Sequence, residues 1–166
     1  MLPHASAQRR VASDRFLVEA FSQWIPGWGR RQLGWSDLEA LCTDLGIELI
    51  QAHLKDADGY AFWVDGTPYI FVADHLSGPE KVIAGFHELC HILYHSEHSS
   101  IFRRCGNLWN WSKCDRQAEI VGAVAWMPDV RGLSVEEVME EFGVSRDVAL
   151  FRSQVILWEG FRSVEG

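Results

Sequence analysis

Residues 85 to 95 read GFHELCHILYH and carry His87, Glu88 and His91. Side chains four residues apart share one face of an α-helix, so His87 and His91 can present their imidazoles to a common metal ion. Glu88, beside the first histidine, then reaches a water on that ion. Zinc lowers the pKa of its water toward ~7, and the carboxylate can take the proton as the water attacks a carbonyl. This chemistry is why the HExxH pattern needs histidine, glutamate and histidine at this spacing. So short a pattern also arises by chance on amphipathic helices. Here Ile83, Ala84, Leu89, Ile92 and Leu93 surround it with apolar packing residues.

A catalytic zinc takes three protein ligands and keeps one position open. Glycine at 94 and histidine at 97 would supply a third histidine, but these positions are Tyr94 and Glu97. The other source is a carboxylate on a later helix. CDRQAEIVGAVAWMP offers Asp115 and Glu119, four apart and on one face. One acid would bind the metal while the other oriented a histidine through its second ring nitrogen. The expectation is Asp115 as ligand with Glu119 behind it, and the spacing leaves the reverse assignment open. His95, one turn past His91, is a candidate donor to the transition state or from behind the ligands, or else a partly buried polar residue at the site rim. Tyr60 is a candidate cleft residue, although a strand tyrosine more often packs. Cys90 and Cys114 lie in and beside the two motifs, and are read as structural thiols rather than metal-bound or redox-active ones.

The elements that must hold these groups can be read from patterning. The length of 166 residues suits one domain with its own core, expected over residues 14–166 behind a loose tail at 1–13. DRFLVEAFSQWI is a helix stopped by Pro26-Gly27, and GWGRRQLG is a loop. Ser36 and Glu39 have capping-box spacing at the start of SDLEALCTDLG, with Gly46 as its C-cap. IELIQAHL, GYAFWVDG and PYIFVAD then alternate like strands, with Asp65-Gly66 as a hairpin turn. Helices are expected from Pro79 through the motif, from Ser112 to Trp126, from Ser134 to Gly143, and from Ser145 onward. Helix, sheet and then helices make an α+β fold with a small mixed or antiparallel sheet.

The formal charge of −8 argues against nucleic acid as the ligand. The doublets Arg9-Arg10, Arg30-Arg31 and Arg103-Arg104 read as solvated surface. FGVSRDVALFR has helix-turn-helix rhythm, but its second helix offers only Arg146 and Arg152 as bases, so packing is the expected use. Trp109 and Trp111 suit a partner surface or a core equally. No apolar run approaches the ~20 residues of a membrane span, and the first residues lack the apolar centre of an export signal. Four cysteines without a CxxC pair are then reduced thiols, and the expected location is the cytoplasm.

VIAGFHELCHILYH followed by DRQAEIVGAVAWMP resembles the ImmA/IrrE family of metallopeptidases. GYAFWVDGTPYIFVAD is similar to that family's hairpin and edge strand, and the resemblance runs over roughly residues 36 to 155. Asp115 stands where the family usually has glutamate, and Cys90 where it has glycine. The resemblance implies a zincin-like domain with a gluzincin-like site. It would hold one Zn2+ ion, with Mn2+ as an alternative, on His87, His91 and Asp115 or Glu119, with Glu88 as general base. It also implies a protein substrate, a helix-turn-helix repressor of the XRE or cI kind, cut to release phage, mobile-element or stress-response genes. An extended peptide would add to the sheet edge near PYIFVAD. The alternatives are a metal-stabilised antirepressor that binds without cutting, and a zinc hydrolase acting on another bond.

Overall fold

The computed structural model of the protein describes residues 14–95, 102–104 and 112–159. The tail expected at 1–13 lies outside them, as do Cys105, Trp109 and Trp111. α1 (Asp14–Ala20) runs into a 3-10 turn at Phe21–Gln23 and stops ahead of Pro26. α2 (Trp35–Leu45) starts earlier than the Ser36–Glu39 spacing predicts. Gly34 is its N-cap, with the Asp37 carboxylate accepting from the Gly34 amide at 2.8 Å. Arg31 holds Asp37 in place by donating to both its oxygens, while Glu39 accepts from the Trp35 indole instead. An aspartate pinned by arginine thus outcompetes the serine.

The sheet has four strands, β1 (Glu48–Ala52), β2 (Gly59–Val64), β3 (Thr67–Ala73) and β4 (Phe102–Arg104), in the order β1-β3-β2-β4. β1 runs parallel to β3, and the other two pairings are antiparallel. The β2–β3 turn is Asp65-Gly66, with φ of 48° and 81°. A two-residue turn with both central φ positive matches the twist of its flanking strands. β3 is bonded on both sides, so PYIFVAD is a central strand and not the edge expected for a peptide to join. Among the described residues the edges are β1 and β4. Along β2, Gly59 and Ala61 are buried, while Tyr60 and Phe62 are half-buried on the opposite face. On that face the Phe62 ring stacks on Tyr69 and Phe71.

α3 (Gly78–Cys90) has Pro79 in its first turn and a reciprocal Ser77–Glu80 cap. It continues as a π-helical turn at His91–His95. α4 (Lys113–Trp126) begins behind the Ser112 cap. α5 (Val135–Phe142) is closed by Gly143, and α6 (Arg146–Glu159) follows. α3 and α4 form the most extensive packing of two helices among the described residues. Gly122 permits it, because a Cβ there would overlap the Ile83 carbonyl of α3. The main core includes Leu17, Phe21, Leu38, Ile70, Phe86, Leu89 and Ile120. A second cluster, with Ile83, Met127, Val138, Phe142 and Ala149, lies under α5 and α6. Each such large side chain contributes about 1.5–3 kcal/mol of apolar burial.

The bases of the helix-turn-helix-like segment are committed to the protein itself. Arg152 is wholly buried and donates to the carbonyls of Met127 and Pro128 at the end of α4, at 2.7 and 2.9 Å. Arg146 donates to Glu136. No helix among the described residues is long and apolar enough to cross a membrane. The architecture is α+β and zincin-like, with the motif helix between a small sheet and the remaining helices.

Candidate metal centre

The last turns of α3 place His87 and Glu88, the π-helical turn places His91 and His95, and the first half of α4 faces them with Asp115, Gln117 and Glu119. His87, His91 and Asp115 each offer one ligand atom, all within 4.8 Å of one another. The Nε2 atoms of the two histidines are 3.2 Å apart, and Asp115 Oδ1 is 3.3 Å from His91 Nε2. Ligands at zinc's bond lengths in a tetrahedron stand about 3.3–3.5 Å apart. The donor set and these two separations therefore fit a divalent ion of that kind. Asp115 is aimed by its helix cap, since the Ser112 hydroxyl donates to Oδ2 at 2.7 Å and leaves Oδ1 toward His91.

Glu119 is differently engaged. Its Oε2 accepts from His87 Nδ1 at 2.7 Å and from Arg104 Nε at 3.1 Å, and its Oε1 accepts from Arg104 Nη2 at 3.0 Å. Both oxygens are occupied, so Glu119 stands behind His87 while Asp115 faces the histidine pair. Arg104 also donates to Asp58 at 2.6 Å. Burial alone would raise the Glu119 pKa, but the Arg104 charge and the His87 hydrogen bond hold it down at about 2. The His91 hydrogen bond holds Asp115 at about 2 against partial burial. Burial lowers both histidines, His91 to about 4, despite the neighbouring carboxylates. At neutral pH both rings are therefore uncharged, as metal ligands must be.

Glu88 is fully buried, and among the described residues its carboxylate oxygens have no well-formed hydrogen bond, only the nearby Arg104 backbone N–H as a weak donor. Burial drives its pKa well above the usual carboxylate range, and Arg104 only partly opposes this. A buried carboxylate without a well-formed hydrogen bond costs stability and calls for a functional explanation. Glu88 lies on the motif helix next to His87, one of the three residues whose ligand atoms converge. Gly59 makes room for it, because a Cβ there would stand 2.9 Å from Glu88 Oε1.

Of the residues singled out by sequence, His95 is brought in, with its Nδ1 3.0 Å from His91 Nδ1. Tyr60 is not. Gly59 packs on Glu88, so strand alternation turns Tyr60 to the other face of the sheet. Burial pushes the Cys42 thiol up to about 12 and the Cys90 thiol up as well, as expected of structural thiols rather than metal-bound thiolates. Arg104 is a correction: half of a supposedly solvated doublet is buried at the centre of the site. Asp58, Gly59, Gln117 and Asp14 also went unmarked. The only signal for Gln117 was a neutral polar residue between two site acids, and a three-residue strand leaves no pattern to betray Arg104.

A 68-residue segment of the chain is 37% identical to part of a protein named Ribonuclease H from Anaeromyxobacter dehalogenans (strain 2CP-C). The match covers 39% of this chain and 36% of that protein, so it spans about a third of the relative's length. Residues 42–154 match the family model Peptidase M78, described as the IrrE N-terminal-like domain. The match takes in both histidines, Glu88, Arg104, Asp115 and Glu119, and the chain belongs to the Peptidase M78 family.

Proposed function

We propose that the protein is a zinc-dependent endopeptidase that cuts a helix-turn-helix transcriptional repressor in the cytoplasm, relieving repression of phage, mobile-element or stress-response genes. The family supports a metallopeptidase-type activity, and Glu88 carries the hydrolytic reading, as a fully buried carboxylate with no well-formed hydrogen bond among the described residues, beside three atoms that could hold a metal. In this reading His87, His91 and Asp115 hold the ion. When bound, zinc polarises a carbonyl and acidifies water near neutral pH. Glu88 accepts the proton of the attacking water and returns it to the leaving nitrogen. Its raised pKa suits both transfers. Glu119 keeps the His87 proton on Nδ1, so Nε2 presents its lone pair. An extended substrate pairs with β4, whose Arg104 is in register with the Gly59 that packs on Glu88.

The name of the curated relative would suggest a nuclease. A charge of −8 and a site with two histidines, rather than paired carboxylates around two metals, favour peptide hydrolysis. The test is incubation with the repressor encoded beside this gene, followed by mass spectrometry of the products. Glu88→Gln should slow cleavage by about 10²–10⁴-fold with bound zinc unchanged. If that variant retains zinc and inactivates the repressor as well as the parent does, the protein is a binding antirepressor and the peptidase reading falls.

A further inference from the structure

Three hydrogen bonds lead away from His91 to the first helix. His91 Nδ1 is 3.0 Å from His95 Nδ1, His95 Nε2 is 2.9 Å from Gln117 Oε1, and Gln117 Nε2 is 3.1 Å from Asp14 Oδ1. His91, His95 and Gln117 are all buried, while Asp14 is half-buried at the start of α1. We propose that Asp14, Gln117 and His95 are positioning residues that fix the tautomer of His91, leaving its Nε2 bare for the metal. The proposal rests on the reading above that His91 is a ligand. It also makes α1, which lies ahead of the family-matched residues 42–154, part of the metal site.

The direction of every bond follows from the Asp14 end. An ionised carboxylate can only accept, so the Gln117 amide must turn its NH2 toward Asp14 and its oxygen toward His95. Arg116 Nη2 lies 3.9 Å from Asp14 Oδ2. His95 Nε2 must then carry a hydrogen to donate. In a neutral ring the other nitrogen accepts, so His95 Nδ1 takes the hydrogen of His91 Nδ1. On this chain of bonds His91 is left with a lone pair on Nε2, 3.2 Å from His87 Nε2 and 3.3 Å from Asp115 Oδ1. The chain must outweigh Asp115, whose carboxylate without a metal draws the hydrogen to Nε2 instead. A neutral histidine in water more often carries its hydrogen on Nε2, so the chain selects the less common tautomer. The π-helical turn contributes by setting the His95 ring beside His91, and such turns cluster at functional sites.

The direct measurement is long-range 1H–15N NMR of the metal-free protein. Hydrogen on His91 Nδ1 is expected, and hydrogen on Nε2 would overturn the proposal. Gln117→Leu should mix the two tautomers and weaken zinc binding, read by competition with a chromogenic chelator, by ~10-fold. The double variant Asp14→Asn with Gln117→Glu exchanges amide and carboxylate but keeps each donor facing an acceptor. It should recover the parent tautomer and most of the affinity. A folded Gln117→Leu protein that binds zinc like the parent, or a double variant no better than Gln117→Leu alone, would sink the idea. Failure of the parent to bind zinc would instead remove the ligand reading, and the tautomer in the metal-free protein is measured independently of that result.

Discussion

His87 and His91 lie one helical turn apart and face the same point, yet they are held by opposite means. Behind His87 is an ionic clamp. Glu119 accepts from its Nδ1, and the buried Arg104 grips Glu119 and reaches on to Asp58. Behind His91 is a chain of two side chains, His95 and Gln117, that meets a carboxylate only at half-buried Asp14. The clamp ties α3 to α4, β4 and the bend just ahead of β2, while the chain joins the π-helical turn, α4 and α1. The difference teaches that a ligand can be oriented by charge or by bond direction alone, and the two fail differently. Removing one member of the clamp strands a buried charge, whereas removing Gln117 from the chain strands a ring nitrogen and a half-buried carboxylate that water can reach.

Breaking the clamp should therefore have the largest effect. Arg104→Leu leaves Glu119 buried without its cation, and removal of one partner from a buried pair costs about 3–5 kcal/mol. In a domain of this size that lowers Tm by roughly 10 °C. Arg104→Lys should fall between, because an ammonium cannot reproduce the fork that serves Glu119 and Asp58 together. Cutting the chain with Gln117→Leu should cost about 1–3 kcal/mol. Equal losses in urea or thermal unfolding of the two metal-free variants would erase the distinction.

Acid should separate the two supports by pH window. The folded pKa of His91 lies at about 4, below its ordinary 6.5, so the unfolded chain binds the extra proton. The stability tied to keeping it neutral is complete above about pH 6.5 and is lost as pH falls toward 4, at most roughly 3 kcal/mol. Glu119 and Asp115, both held at about 2, keep their contribution above their ordinary values of 4.5 and 3.8 and lose it as pH falls toward 2. Glu88 has the opposite sign. Its raised pKa stabilises below 4.5, and that benefit disappears as pH rises. Metal-free Glu88→Gln should therefore gain stability relative to the parent as pH rises to neutrality. A ratio of stabilities that does not change between pH 4.5 and 7.5 would contradict this assignment.

Most helices and three of the four strands were legible because periodicity, caps and one two-residue turn are local signals. The His87–His91 pair was legible because a single helix sets its spacing. The choice between Asp115 and Glu119 was not, since both lie on one face of α4. What separates them is Arg104, brought in from β4 to occupy one acid, together with the Ser112 cap of α4 itself, which aims the other. β4 itself is three residues long, too short for alternation to register. Missing it made β3 look like an edge. Ser36 and Glu39 failed as a cap for a related reason, because Arg31 favours Asp37 through a contact that capping-box spacing does not include.

The smallest expected effect comes from a substitution that touches neither support. Gly59→Ala puts a Cβ 2.9 Å from Glu88 Oε1, 3.0 Å from Glu88 Cγ and 3.1 Å from the Phe71 carbonyl oxygen. The carbonyl belongs to the central strand and is bound into the sheet, so the Glu88 side chain must yield. Overpacking of this size costs about 1–2 kcal/mol. The displaced carboxylate should slow hydrolysis ~10-fold or more, since a shift of about 1 Å from a productive position can cost 10²-fold. Zinc affinity should stay at the parent value, because His87, His91 and Asp115 keep their own partners. The split between rate and affinity separates the base from its metal. If Gly59→Ala weakened zinc binding as much as Gln117→Leu, Glu88 would belong to the metal's support rather than to the chemistry beside it.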